Sequence, residues 1–453
     1  MSKYKSYFED LIKINPSLSF ELGKRDTFSI SKTTDYLSND YLKKLYKISL
    51  KYKKTDDKEL KFELDYIKNF YKYKIYLYFI ISSYENNIIN FYYDNKAKYP
   101  SKFRKERLKD FNKHIDTIIE RLKESLKLKI TIPYMICKEI IKQIKNYNPK
   151  LYKFLKNNYL NKCRKTIGLC HLPNGKEIYK ILVKNTLGGL KKTPEKIHKL
   201  GLSLIKDINI NYESNDYYTS KEKLFKDCKK ISLYIYDHII EKYFHYKPDK
   251  KFTLKIVPEA LESSSSLAYY IPSEDIIYIN LSYYRECNKQ SLYSLLMHEC
   301  MHQYHYRFMK YHKLEKYEIY GYNNNTLIEG FAHYMETYCE DYDDNNDYSI
   351  LRKLRLVVDT GINYYGWNYE KSLNYMESYL PDRRKDIMNE IDRYICMPSQ
   401  GLCYLLGKLK IIKMRDKFLK KKRGSIKDFH HKLLINGTVS FLTLKKKFKK
   451  INN

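Results

Sequence analysis

His298 and His302 stand four residues apart in LLMHECMHQYHYRFM (Leu295–Met309), with Glu299 between them, inside an otherwise apolar run of helical character. A helix rises about 1.5 Å per residue with about 3.6 residues per turn, so the two imidazoles project from one face roughly 6 Å apart along the axis. That placement suits one tetrahedral zinc. It leaves Glu299 beside the metal, as a base for a water whose pKa the metal has lowered toward neutrality. This is the H-E-x-x-H arrangement of metallohydrolases. A helix with two partly buried, hydrogen-bonded histidines would give the same letters, so a third ligand has to decide.

NNNTLIEGFAHYMETY (Asn323–Tyr338) supplies one. Glu329, His333 and Glu336 fall at i, i+4 and i+7 and share a helix face. If that helix packs against the first, Glu329 completes a His, His, Glu set and leaves the fourth position open, as catalytic zinc requires. Gly330, next in sequence, lets the two helices approach closely. The competing reading is a capping box of Thr326 and Glu329 with no metal. Just before the zinc helix, IIYINL (Ile276–Leu281) reads as a strand whose edge could take an extended peptide by strand addition, or simply as core.

The elements that must position these residues are mostly helices. From residue 1 to about 245, apolar residues recur at three and four spacing, as in DYLKKLYKISLKY and IPYMICKEIIKQIKNY, with few glycines and prolines. LCHLPNGKEIYK (Leu169–Lys180) carries a Pro-Asn-Gly turn, and KKTPEKIHKLGLSLIKDI opens a helix with Thr193 as N-cap and Pro194 in its first turn. Between about 251 and 284 short β-branched runs predict a small sheet beside the zinc helix. Helix returns after it, interrupted by the acidic loop EDYDDNNDY (Glu340–Tyr348) and ending in the basic tail LKKKFKKINN. The expected fold is mainly α. It divides into an N-terminal helical region, 1–165, and a catalytic region, 166–453, in one helical body with a deep central cleft.

Lys and Arg number 86 against 53 Asp and Glu, a net charge of +33 that would suit nucleic acid or an anionic surface. The same chain is crowded with Lys, Asn, Ile and 50 Tyr, the amino acids of A/T-rich codons. Genome bias therefore accounts for much of the excess, nucleic acid is the less favoured partner, and a large DNA virus or a protist is the hinted source. Nine scattered cysteines form no CxxC pair and read as reduced thiols. The N-terminus lacks the apolar core of a signal peptide, and no apolar run approaches the roughly 20 residues that span a bilayer. The expectation is a cytoplasmic protein with no membrane association.

HECMH followed by EGFAHY resembles the gluzincin peptidases. Within that group the chain is most similar to the family called domain of unknown function 885, a mostly bacterial set read as metallopeptidases. GLCHLPNGKEIY, TPEKIHKLGL, RLVVDTGINYYGWNYEKSLNYM, RYICMPSQGLCYLLGKLKIIKMR and FHHKLLINGTVSFLTL extend the resemblance in family order from about 165 to 445. Where the family has Pro-Gly after H-E-x-x, this chain has His302 and Gln303. That makes His302 the expected ligand, with His305 the competitor. Phe331, Asn363 and Ser440 replace the family's Trp, His and Pro, changes that bear on substrate specificity more than on zinc.

The resemblance implies a helical gluzincin fold that binds Zn2+ and cleaves short peptides, with His298, His302 and Glu329 on the metal and Glu299 as general base. Tyr404 matches a recurrent family tyrosine and would donate a hydrogen bond to the oxyanion, unless it is core. Arg393, Gln400 and His430 are weaker candidates for binding substrate, and Arg355 with Asp359 reads as an i, i+4 helical ion pair. Two rivals stand beside the peptidase. One is a di-iron carboxylate protein built from Glu195–His198 and Glu299–His302. The other is a basic nucleic-acid-associated protein with an inactive peptidase site, which predicts strongly salt-dependent binding.

Overall fold

Short polar side chains write the helix starts. Ser38 accepts from the Tyr41 amide, Asp57 from Leu60 and Thr193 from Lys196, each occupying an amide that the first helical turn leaves unpaired. At Thr193 this is the cap expected from the sequence, with Pro194 in the first turn. At the Pro-Asn-Gly turn Asn174 takes a left-handed φ of 55°, a conformation Asn tolerates better than most residues. The computed structural model describes residues 2–80, 91, 99–206, 208, 216–322, 324–339, 342–344 and 346–448. Asp207, Asn323, Glu340, Asp341 and Asn345 of the stretches quoted above, and the tail from 449 on, lie outside these.

The fold is mainly helical with one three-stranded sheet, and the chain forms two compact units. The first comprises Met1–Leu182 and Val358–Ser399. Its longer helices are α1 (Lys3–Ile14), α2 (Asn39–Lys51), α3 (Lys58–Lys72), α4 (Ser101–Lys127) and α5 (Tyr134–Ile144). Aromatic rings fill much of its interior: buried Tyr7 meets Tyr4 and Tyr52 edge to face, each at 5.7 Å. The helix α6 (Gly175–Thr186) contains the first division between the units.

The second unit comprises Val183–Val357 and Gln400–Asn453. It holds α7 (Pro194–Ile205), α8 (Lys221–Tyr234), α9 (Lys289–Tyr311) and α10 (Asn325–Glu336), then the start of α11 (Asp347–Asn363). The chain returns to the first unit for α12 (Tyr369–Glu377) and α13 (Arg384–Cys396), and to the second for α14 (Cys403–Lys420), α15 (Ile426–Leu434) and α16 (Phe441–Lys447). No helix among the described residues is long and apolar enough to cross a membrane.

The sheet belongs to the second unit and lies beside α9, where the sequence places it. Its strands β1 (Leu254–Ile256), β2 (Ala268–Ile271) and β3 (Ile276–Ile279) run in the order β1-β3-β2. β1 pairs parallel to β3 and β2 antiparallel, with Tyr270 opposite Ile277. This corrects one expectation: β3, the strand of IIYINL, is central and paired on both sides, so it has no edge to offer a peptide. Two side chains of α9 hold the helix to the sheet. Gln303 accepts from the Thr253 amide at 3.0 Å, and Arg307 pairs with Asp275 at 3.0 Å and donates to the Lys251 carbonyl at 3.0 Å.

Gly330 does provide a close helix approach, but against a different partner from the one expected. A Cβ at Gly330 would lie 2.5 Å from the Gly407 Cα, and one at Gly407 would lie 2.1 Å from the Thr326 carbonyl oxygen. The two glycines therefore let α10 and α14 cross backbone to backbone. α10 also packs against α9, and its Leu327, Phe331 and Met335 are buried in one core with Met297 and Met301 of α9 and Phe429 and Leu433 of α15.

Candidate metal centre

Helix spacing puts His298 and His302 on one face of α9, and their rings stand 4.6 Å apart between centroids, nearly perpendicular. Facing them from α10, the Glu329 carboxylate lies 3.1 Å from His298 Nε2 and 3.4 Å from His302 Nε2. One donor atom from each of the three lies within 4.8 Å of the others, and among the described residues this is the one group of at least three His, Cys, Asp or Glu side chains so arranged. The capping-box alternative is not formed. Asn324 occupies the N-cap of α10, and the Thr326 hydroxyl donates to the Thr186 carbonyl at 2.5 Å.

The other nitrogen of His298 is also taken. His298 Nδ1 lies 2.7 Å from Glu336 Oε1, and Arg352 of α11 grips that carboxylate with both guanidinium arms, Nη2 to Oε1 at 2.8 Å. Burial opposes a charge on His298, but the hydrogen bonds it donates to Glu329 and Glu336 outweigh it and lift the imidazole to about 9. Burial likewise works against ionised Glu329, and the two histidines overcome it, holding that carboxyl well below its usual range. Glu336 is lowered too, by Arg352 and His298 against burial. The group is thus a set of two buried histidines, the buried Glu336 and the partly exposed Glu329, in which the carboxylates are ionised.

Glu299 is buried, which raises its carboxyl, while the histidines and the backbone amide of Tyr270 partly counter the rise. The β2–β3 register explains that amide. Asn280 donates to the Leu267 carbonyl, so Leu267 and Asn280 form a hydrogen-bonded pair and alternate residues of β2 turn their backbone groups the other way. Ala268 and Tyr270 therefore direct N–H and C=O to the edge of β2 away from β3, and Glu299 meets the Tyr270 N–H there.

Tyr404, in the first turn of α14, lays its ring nearly parallel to that of His298, 5.9 Å between centroids. Arg355 sits over the Tyr404 ring, its guanidinium carbon 4.7 Å from the centroid, and Gln400 Nε2 reaches the Tyr404 hydroxyl at 3.5 Å. Arg355 thus has its own aromatic partner, while Asp359 takes the Tyr179 hydroxyl and the Ser399 amide. Arg393 belongs to the first unit, where it pairs with Glu390 at 3.2 Å. His430 is fully buried, with one ring nitrogen 2.9 Å from the Tyr243 carbonyl and the other 2.9 Å from the Tyr334 hydroxyl. Both nitrogens are engaged within the core.

His305 is 0 % exposed against the Phe331 ring and stands outside the His298, His302, Glu329 group. Burial and the neighbouring His302 depress its pKa to about 3. His333 is equally buried and neutral, held so by burial and then by Arg352, Lys408 and His298. The second Glu-x-x-His unit does not join the first: Glu195 is exposed on α7 and His198 Nδ1 lies 3.1 Å from the Val357 carbonyl. Sequence reasoning missed the parts played by Glu336 and Arg352. The i+7 spacing from Glu329 marked the face of Glu336, but nothing local marked Arg352.

Residues 211–448, just over half of the chain, match the family described as "Bacterial protein of unknown function (DUF885)". No curated protein matches the chain. Among solved structures, a "putative lipoprotein" from Colwellia psychrerythraea shares the fold with a TM-score of 0.66 and 21% identity, over 77% of this chain and 75% of that one. A "putative lipoprotein of unknown function" from Shewanella oneidensis also aligns with a TM-score of 0.66, at 14% identity, over 99% of each chain. The second extends the shared fold through the N-terminal 160 residues, where the sequence resembles the family only in helical character.

Proposed function

The chain belongs to the DUF885 family, and on that premise we propose that it is a zinc-dependent peptidase of the gluzincin type, cleaving short peptides in a deep cleft over the metal centre. The observation that carries this reading is the buried convergence of His298, His302 and Glu329. Two imidazoles and one carboxylate, with the far nitrogen of His298 fixed by a second carboxylate, fit the donor set and the outer partners of a catalytic zinc. Zn2+ held there would supply Lewis acidity, polarising a peptide carbonyl and acidifying a water.

The chain's own groups do the rest. Glu299 takes a proton from the attacking water and returns it to the leaving amine, a role helped by a carboxyl raised by burial. The Tyr404 phenol, beside His298, donates to the developing oxyanion, and Gln400 and Arg355 orient that phenol. On the outward edge of β2 the Tyr270 N–H is met by Glu299 and the Ala268 carbonyl by Ser266, which leaves the Ala268 N–H and the Tyr270 carbonyl to offer to an extended peptide, the role the sequence suggested for β3. The two solved neighbours are named lipoproteins, which sets an extracytoplasmic location beside the cytoplasmic one expected from the N-terminus; the catalytic reading is the same in either.

Zinc content and hydrolysis of a peptide library, measured on wild type and Glu299→Gln, test the proposal. Both proteins should hold near-stoichiometric zinc, and the variant should lose roughly 10²–10⁴-fold in rate, the usual contribution of a general base. Two irons per chain, or undiminished hydrolysis by the variant, would sink it.

A further inference from the structure

Away from that centre, three of the twelve histidines meet at the surface of the second unit from stretches remote in sequence. His312 directly follows α9, His245 follows the short helix Ile240–Tyr243, and His431 lies on α15 three residues after Asp428. The His312 and His431 rings are 5.1 Å apart between centroids, and those of His245 and His431 6.4 Å. His245 Nε2 lies 2.9 Å from Asp428 Oδ1. Two imidazoles that share one cation at about 2.0–2.1 Å hold their ring centres roughly 5 Å apart. His312 and His431 therefore stand at the separation of co-ligands, and His245 stands about one ångström farther off.

The surroundings favour the same use. Asp428 Oδ2 is committed to the cap of α15, accepting from the Ser425 amide and hydroxyl, which leaves Oδ1 toward His245. His312 Nε2 is buried without a hydrogen-bond partner. Phe308 supports two of the rings from beneath, 4.3 Å from His312 and 5.5 Å from His431. His245 and Asp428 are about half exposed, at 49% and 48% of their side-chain surface, so a cation has access from solvent.

We propose that His245, His312, His431 and Asp428 form a second metal site, separate from the first centre and independent of the peptidase reading, for a borderline divalent cation such as Zn2+. Three imidazoles and one carboxylate select zinc and its d-block neighbours over Mg2+ and Ca2+, which prefer oxygen. The donors are not drawn as close as those of the first centre, and closure requires rotation of the His245 and His431 side chains. Once closed, the site ties α15 and the segment after Tyr243 to the C-terminal end of α9, the helix that carries His298 and His302. His302 lies ten residues before His312, about 15 Å along a helix.

The test uses the tag-free full-length chain, stripped with a chelator, in a His298→Ala/His302→Ala background that removes the first centre. Zn2+ titrated at pH 7.5 should bind that background at one site, with Mg2+ giving no binding at the same concentration. Adding His245→Ala or His431→Ala should weaken zinc at least tenfold, whereas Lys427→Ala should not. Zinc-free thermal unfolding of each variant checks that the fold persists, and half-exposed His245 keeps the test usable if His431→Ala unfolds. A background that binds no zinc, or binding that survives both added histidine changes, would overturn the site and leave these rings as aromatic packing.

Discussion

Glu336 decides which nitrogen His298 presents. Its carboxylate sits 2.7 Å from Nδ1 and is itself gripped by Arg352, so the proton is held on Nδ1, and Nε2, toward Glu329 and His302, is the nitrogen that would give up its proton to take a cation. Glu336→Gln should lower zinc affinity about 10–100-fold, the usual effect of removing such an outer partner; competition with a chromophoric chelator measures it, and an unchanged affinity would show that Glu336 matters only for packing. The facing of the clustered side chains was legible because i, i+4 and i+7 spacing is a property of one helix. His302 joins the cluster and His305 does not, since His305 turns a further three residues around α9 and ends under Phe331. Arg352 and Arg355 were not legible, because they come from α11, whose approach depends on tertiary packing and not on any local pattern.

Between elements, the crossing of α10 and α14 is the tightest constraint on the centre. Gly407 lies three residues after Tyr404 on α14, and Gly330 directly follows Glu329 on α10, so the crossing sets the separation between a ligand and the proposed oxyanion donor. Gly407→Ala would set a methyl against the Thr326 carbonyl. Overpacking of this kind costs about 1–3 kcal/mol, and urea unfolding should report a loss in that range, whereas full stability would mean the helices part freely. The sequence marked Gly330 as a close approach yet named the wrong partner, because a missing Cβ shows that something comes near without saying what. β3 misled for a similar reason. An apolar run predicts a strand, but a strand of four residues carries no mark of which neighbours it pairs with.

At the scale of the molecule, the two units interleave: each is assembled from two separated stretches of chain, with divisions inside α6 and α11. Composition does not change at those points, so no linker could be read there. Asp359, in the first unit, gives that unit a pH signature. Burial pushes its carboxyl up to about 7, against the pull of Tyr179, the Ser399 amide, Asn363 and Arg393. An unfolded Asp titrates near about 3.9, so the folded form binds the extra proton between those values. Stability that is full below about pH 4 is therefore lost as pH rises through about 7. Urea unfolding between pH 4 and 8 should show this slope in wild type and not in Asp359→Asn; parallel slopes would refute it.

The crossing at Gly330 and Gly407 also has a consequence in time. Gly407 is made 77 residues after Gly330, roughly 4–15 s later at about 5–20 residues per second. Through that interval a growing chain already carries both histidines and Glu329 but lacks the helix that locks α10 and the tyrosine beside His298. The three clustered side chains thus precede α14 in the order of synthesis, and if they hold zinc as proposed, a nascent chain could meet the ion before Tyr404 exists.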